Sequence, residues 1–307
     1  MKLLKYLQKT KNLSQDPLIN DYSDEIFSLI DISDTKVSNS ILKQIYSLRK
    51  NFQKTKKNLK ETPLSIIIPY RDRESHLIKF IPAISEKLKD TEFEILVIEQ
   101  KNNYPFNIGL LRNFGALIAK YDQLVHHDID FLPLDAYYSG CNHPLRLLTK
   151  IKKNDDDFIP NSVEASDDKE RVKNSYFSGV ISISKYQYLL ANGFPNNYFG
   201  WGEEDNEFLL RCIKIGLTPL FHKHGEFIAL PHVSNGDNEH GDKDSKIKKK
   251  LRVRNGDLYR KSRKGVTDYW ESGMNNIQDL TKIIKQEYKY IDKFKYNHIC
   301  IDFNFTQ

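Results

Sequence analysis

From Leu64 to Asp130 the chain alternates short apolar runs with stretches of helical spacing, and this alternation limits the fold more than any other feature. The first run, at the start of LSIIIPYRDRE, stops at a proline, Pro69, and delivers Arg71, Asp72 and Arg73. Helical spacing follows from Glu74 to Leu88, then the run FEILVIEQ at 93–100, then helical spacing from about Ile108 to Lys120, then QLVHH. Runs without polar alternation need cover on both faces, and the helices between them supply it. The pattern predicts an α/β fold with a doubly wound, mostly parallel, Rossmann-like sheet. Ligands of such sheets bind beyond the carboxyl ends of the strands. Arg71, Arg73, Glu99 and Gln100 emerge there, and the two arginines suit phosphate or base contacts.

The third run continues into His126, His127, Asp128, Ile129 and Asp130. Two carboxylates two residues apart at a strand end offer oxygen ligands to a hard divalent ion, which in turn can neutralise a diphosphate. A turn-forming role for these aspartates is the plainer alternative.

NYFGWGEEDNEF, at 197–208, enters a helix with two glycines, Trp201 and a cluster of acids. Helical spacing puts Glu203, Glu207, Arg211 and Lys214 on a polar face and Phe208, Leu209, Cys212 and Ile213 on a buried one. Glu204 and Asp205 are then the inward acids, suited to a general base in a cleft that takes a ring-shaped ligand. The competing reading has first-turn acids complementing the helix dipole.

The remaining segments are read more coarsely. Residues 142–175 read as a surface helix and a loop, YFSGVISIS as a strand, and KYQYLLANG as a short helix ending at Gly193. FIALPH reads as a strand ending on His232. VSNGDNEHGDKDSKIKKK reads as a mobile loop whose lysines could face phosphate. The tail reads as a helix near 276–290 and a last strand, HICIDFNF.

A chain of 307 residues with 39% hydrophobic content can bury a full core. Two domains are expected: a basic helical extension over 1–60 and the α/β domain over 61–307. The formal charge of +6 is concentrated in lysines near the start and between Lys243 and Lys264. Zinc-finger spacing and RNP-like aromatics are absent, which argues against nucleic acid as a partner. The 1–60 segment could meet an anionic membrane surface or a partner protein, although such helices more often pack on their own domain. Cys141, Cys212 and Cys300 show no metal-ligand spacing and read as reduced thiols. Without a signal-like apolar run or about 18 consecutive apolar residues, a soluble, cytoplasmic protein is expected.

Taken in order, IIIPYRDRE, FNIGLLRNFG, HHDID, YFSGVISIS, NGFPNNYFGWGEEDNEF, His232, SGMNNIQ and HICIDF resemble the β-1,4-galactosyltransferase family from about Pro63 to Phe305. The resemblance implies a GT-A fold and inverting transfer of galactose from UDP-galactose to a hydroxyl of a glycan or glycolipid acceptor. It makes Asp205 the base, Glu204 a sugar contact and Trp201 the platform for sugar. Pro69, Arg71, Arg73, Asp128, Tyr176 and Gly179 fall on the donor side. Asp130 and His232 become ligands of a divalent ion, usually manganese in that family. Two positions depart from its pattern: Ala229 replaces a methionine ligand, and Asn206 stands where many members carry Asp. The lack of an anchor suggests a bacterial-type member that builds surface polysaccharide or lipid-linked glycan. N-acetylgalactosamine transfer and a catalytically silent sugar-nucleotide-binding subunit are the alternatives; a bulky Tyr176 beside the 2-position of the sugar favours galactose.

Overall fold

The computed structural model describes residues 19–21, 62–138, 143–152, 159–160, 177–217, 219–222, 225–231, 245–266 and 271–305. In chain order the elements are β1 (Ile19–Asp21), β2 (Leu64–Tyr70), α1 (Glu74–Lys87), β3 (Phe93–Gln100), α2 (Ile108–Ile118), β4 (Gln123–His127), β5 (Phe131–Pro133), β6 (Leu145–Arg146), β7 (Lys150–Lys152) and β8 (Ile159–Pro160). There follow β9 (Val180–Ser184), α3 (Lys185–Leu190), α4 (Glu204–Lys214), β10 (Leu220–His222), β11 (Glu226–Ala229), α5 (Ser245–Arg263), α6 (Ile277–Leu280), β12 (Thr281–Ile291) and β13 (Phe294–Phe303).

The main sheet runs β1-β10-β6-β9-β4-β2-β3-β13-β12. Its centre, β4, β2, β3 and β13, is parallel, and β9 and β12 flank that centre antiparallel. Every residue of β2, β4 and β9 is buried, as continuous apolar runs require. One face packs on α1 through Leu77, Phe80 and Ile84. The other packs on α2, α3 and α4 through Leu110, Phe114, Tyr188 and Phe208. The expected doubly wound α/β core is therefore present. α2 lies so close to β2 that a Cβ on Gly115 would stand 2.3 Å from Ile67 Cγ2. A second sheet, β5-β11-β7-β8, stands beyond the carboxyl end of β4.

Several expectations are corrected. The helix expected after residue 142 is replaced by β6, β7 and β8. Leu145, Leu147 and Leu148 are buried, and Leu147 N bonds to Val180 O, so this stretch is held by strand pairing. The helix expected near 276–290 is only the single turn of α6. Residues 281–291 form β12, which turns at Asp292 (φ 53°) onto β13. Its Lys282, Lys285 and Lys289 stand on the outer edge strand, where charge discourages pairing with another chain. The supposed polar face of α4 is buried, because α5 packs against that helix and the charges pair internally. Arg211 Nη2 donates to Glu207 Oε1 at 2.8 Å, Tyr198 Oη donates to Glu207 Oε2, and Lys214 Nζ donates to Ser262 O at 3.0 Å. Lys246 and Lys248–Lys250, expected in a mobile loop, lie on the exposed start of α5. Of residues 1–60 only β1 is described; it pairs with β10, and the helix expected at 41–48 lies outside the described residues.

Candidate active site

A cavity of about 300 Å³ opens at the carboxyl ends of β2 and β4. It is lined by Pro69, Arg71, Arg73, Asp128, Asp130, Gly179, Trp201, Glu204 and Asp205, so nine of the residues expected at a site converge there. Tyr176, His232 and Cys141 lie outside the described residues.

The charged wall is organised by Arg112, which sequence reasoning missed. It sits mid-helix in α2, 1% exposed, within the otherwise apolar and amide run IGLLRNFGALI. A charge in such a run must be paired, and that was the available signal. Arg112 Nη2 donates to Asp128 Oδ1 at 2.6 Å and Nη1 to Asp205 Oδ1 at 2.9 Å, while its guanidinium lies over the Phe194 ring. One arginine thus ties the end of β4 to the start of α4. Burial works against its charge, and Asp128 and Asp205 outweigh that effect, so it is held firmly cationic. Arg146, also buried, donates from Nε to Ser178 O at 3.1 Å; burial lowers its pKa to about 10, with Asp205 pulling the other way.

Burial and repulsion by Asp205 push the Glu204 carboxyl well above the usual range. Its Oε2 is buried and unpartnered among the described residues. Burial also raises Asp205, but Arg112 opposes the rise, and the Asp205 side chain keeps 22% exposure toward the cavity. Burial thus favours the proton on Glu204, while Arg112 draws Asp205 toward its ionised form. That division of roles between adjacent carboxyls suits a base beside a neutral hydrogen-bonding acid.

Glu203 (φ 74°), Gly200 (φ 70°) and Gly202 (φ 109°) turn the chain sharply into α4. The left-handed Glu203 is steadied by Asn206 Nδ2, which donates to Glu203 Oε2 at 2.8 Å. An aspartate at 206 could not donate that bond, which is the local consequence of the Asn206 departure. Trp201, 57% exposed, stands at the rim with Arg252 of α5 stacked on its ring at 4.8 Å. Asn255 Nδ2 donates to Phe199 O at 3.0 Å and fixes the loop from behind. Three asparagines hold its other end: Asn107 Nδ2 donates to Asn196 O, Asn113 Nδ2 to Phe194 O and Asn196 Oδ1, and Asn196 Nδ2 to Gly273 O.

Gly179 cannot be replaced cheaply. Its φ is +80°, and a Cβ would stand 2.4 Å from Leu148 Cδ2. Its carbonyl accepts from Asp128 N at 2.9 Å, which sets the turn carrying Asp128 and Asp130. The Leu230 N–H, just past β11, donates to Asp130 O at 2.7 Å, and Ala229 pairs with Phe131. For a hard cation, Asp130 in the cavity is a fitting oxygen ligand, whereas Ala229 brings no donor. On the donor side, Arg71 Nη1 donates to Tyr104 O at 2.9 Å and its guanidinium lies over Phe106.

Comparison with known proteins adds the ancestry. The N-terminal region of glycosyl transferase group 7 matches residues 28–142, starting inside the segment expected as an extension, and the N-terminal domain of galactosyltransferase matches 162–233. A β-N-acetyl-D-glucosaminide β-1,4-N-acetylglucosaminyl-transferase of Lymnaea stagnalis is 35% identical over 186 residues, 57% of this chain and 35% of that protein. β-1,4-Galactosyltransferase 4 of Mus musculus is 33% identical over 187 residues, 57% of this chain and 50% of the mouse protein. The chain thus spans half or less of the length of these two relatives. Among solved structures, a mutant of Drosophila β-1,4-galactosyltransferase 7 in complex with manganese, UDP-Gal and xylobiose shares the fold, a GT-A one, with a TM-score of 0.61 and 21% identity over 80% of this chain and 95% of that one. The two family matches follow one another along the stretch that builds the cavity, and the chain belongs to the β-1,4-galactosyltransferase family of glycosyl transferase group 7.

Proposed function

We propose that the chain is an inverting glycosyltransferase that moves galactose from UDP-galactose to a hydroxyl of a glycan or glycolipid acceptor. The observation that carries this reading is the pair of buried Glu204 and cavity-facing Asp205, the latter joined through Arg112 to Asp128 in one cavity with Arg71 and Arg73. In the proposed reaction the acceptor stacks on Trp201 and its hydroxyl gives a proton to Asp205 as the oxygen attacks the anomeric carbon. The electrons of the C1–O bond leave with UDP, and Arg71 and Arg73 stabilise its diphosphate. Glu204, protonated, donates a hydrogen bond to a sugar hydroxyl. A divalent ion held by Asp130, with His232 as a second ligand, would neutralise the diphosphate. The ion we favour is manganese, which the Drosophila neighbour binds together with UDP-Gal. The missing donor at Ala229 supports weak ion binding in the absence of nucleotide.

The Lymnaea relative's name favours a second reading, transfer of an N-acetylhexosamine. Tyr176, proposed beside the 2-position of the sugar, supports galactose instead. Cytoplasmic work on surface polysaccharide or lipid-linked glycan completes the proposal, and the buried free thiols of Cys212 and Cys300 suit a reducing compartment. The test is UDP release by the purified chain with manganese from UDP-galactose, UDP-N-acetylgalactosamine and UDP-N-acetylglucosamine, with and without glycan acceptors. UDP-galactose should be used best. Binding of UDP-sugars without turnover on any acceptor would make the chain a silent binding subunit, and a preference for an N-acetylated donor would promote the second reading.

A further inference from the structure

Glu99, expected among the ligand contacts at the strand ends, does not line the cavity. It turns to the opposite face of the sheet, where it meets Cys300, its register partner on β13, and His298, two residues earlier on the same face. Cys300 Sγ donates to Glu99 Oε2 at 3.3 Å, and His298 Nε2 lies 2.7 Å from the same oxygen. The ligand atoms of all three residues lie within 4.8 Å of one another, and all three residues are buried. Both ring nitrogens of His298 are buried without a hydrogen bond among the described residues, Nε2 included despite its approach to Glu99 Oε2. Lys101 Nζ occupies the other carboxylate oxygen, Oε1, at 2.7 Å. The sequence concealed this grouping, because Glu99 and Cys300 meet only through the pairing of β3 with β13.

A thiol, an imidazole and a carboxylate converging from two adjacent strands form the donor set of a zinc-type ion, whereas manganese and magnesium favour oxygen. Without an ion, the His298 Nε2 that faces the thiol and the carboxylate stays buried and without a hydrogen bond, which native interiors rarely leave. We infer that Glu99, His298 and Cys300 bind a thiophilic divalent ion of the zinc class, at a site separate from Asp130 and independent of the proposed transfer reaction. Binding releases the Cys300 thiol proton to solvent. The thiolate, a His298 nitrogen and Glu99 Oε2 then become ligands, with water in the fourth position. Lys101 stays on Oε1 as an outer partner that orients the carboxylate. The site braces the end of β3 from which the donor-side loop hangs: Gln100 Oε1 accepts from Asn107 N, and Gln100 Nε2 donates to Tyr104 O, the carbonyl that also receives Arg71.

The test uses the full chain, stripped with chelator and titrated with cobalt(II) and then zinc in the absence of nucleotide. Cobalt should give a thiolate-to-metal charge-transfer band that zinc abolishes and manganese leaves in place. Cys300→Ser should lose the band and weaken zinc binding by roughly tenfold or more, at least the loss seen when an outer partner of a metal ligand is removed. Glu99→Gln keeps the thiol and should weaken zinc comparably, so the inference stays testable even if the serine variant does not fold. A cobalt complex without a thiolate band overturns the inference. So does zinc affinity unchanged in Glu99→Gln, or a band that persists in Cys300→Ser.

Discussion

The two walls of the cavity are built in opposite ways. The inner wall is charged and centred on one buried cation whose bonds cross between elements: Arg112 of α2 reaches both Asp128 after β4 and Asp205 of α4. The rim is aromatic and exposed, and α5 holds it from behind, with Asn255 on the Phe199 and Trp201 carbonyls and Arg252 on the Trp201 ring. The contrast separates two tasks. Under the proposed function, the groups that meet a developing charge are fixed before substrate arrives, while the surface proposed to take the acceptor keeps its side chain in water.

The largest effect expected from breaking this contrast comes from Arg112→Met, which keeps the volume and removes the cation that Asp128 and Asp205 share. Activity should be lost. Stability should fall by about 3 kcal/mol, the low end for breaking a buried pair, because Asp128 and Asp205 both reach cavity water. Denaturant unfolding checks this, and a loss below about 1 kcal/mol would mean that Arg112 is not the tie described. Asp205→Asn comes next. Turnover should drop by roughly two to four orders of magnitude with UDP binding retained, measured as UDP release and by calorimetry. Near-normal turnover would move the base elsewhere.

At the rim, Trp201→Ala should raise the acceptor KM roughly tenfold, or about 1.4 kcal/mol. Stability should change by less than about 0.5 kcal/mol, as for other exposed positions. A fall in kcat at saturating acceptor would mean that the rim also shapes the chemical step. The smallest effect belongs to Glu204. Its folded pKa is raised by burial and by Asp205, so the stability it contributes is full below the usual carboxylate range and is lost as pH rises through the folded value. Glu204→Gln should flatten that decline by on the order of 1 kcal/mol between pH 5 and 8. Parallel stability curves for the two proteins would show that the acid is ionised without cost.

The readable parts of the fold were those in which one local pattern decides the outcome. LSIIIPY, FEILVIEQ and QLVHH could only be buried strands, and they carried Arg71, Arg73, Asp128 and Asp130 to one end of the sheet. Glu204 and Asp205 were readable because helical spacing turns them inward. What escaped was decided by partners remote in sequence. TKIIKQEYKYI has no strong period and became β12 because β13 was there to pair with it. Glu207, Arg211 and Lys214 look like a solvent face until α5, a separate helix, covers them. Arg112 hides in an apolar helix, and only the meeting of α2 with β4 and α4 reveals its role.

One end of the loop that carries Trp201 is held largely by amides. Asn107, Asn113 and Asn196 bind one another and the backbone through amides, and Tyr188 donates to Asn113 Oδ1 with its hydroxyl pKa pushed far up by burial. Amide bonds are not screened by salt as exposed ion pairs are. This end of the loop therefore depends little on the acidity and ionic strength over which the carboxylates change charge. The other end, held by Tyr198 on Glu207 and by Arg252 on the Trp201 ring, is exposed to both, so a pH or salt profile of this protein reads the cavity carboxylates and the rim together, as two needles moving on one dial.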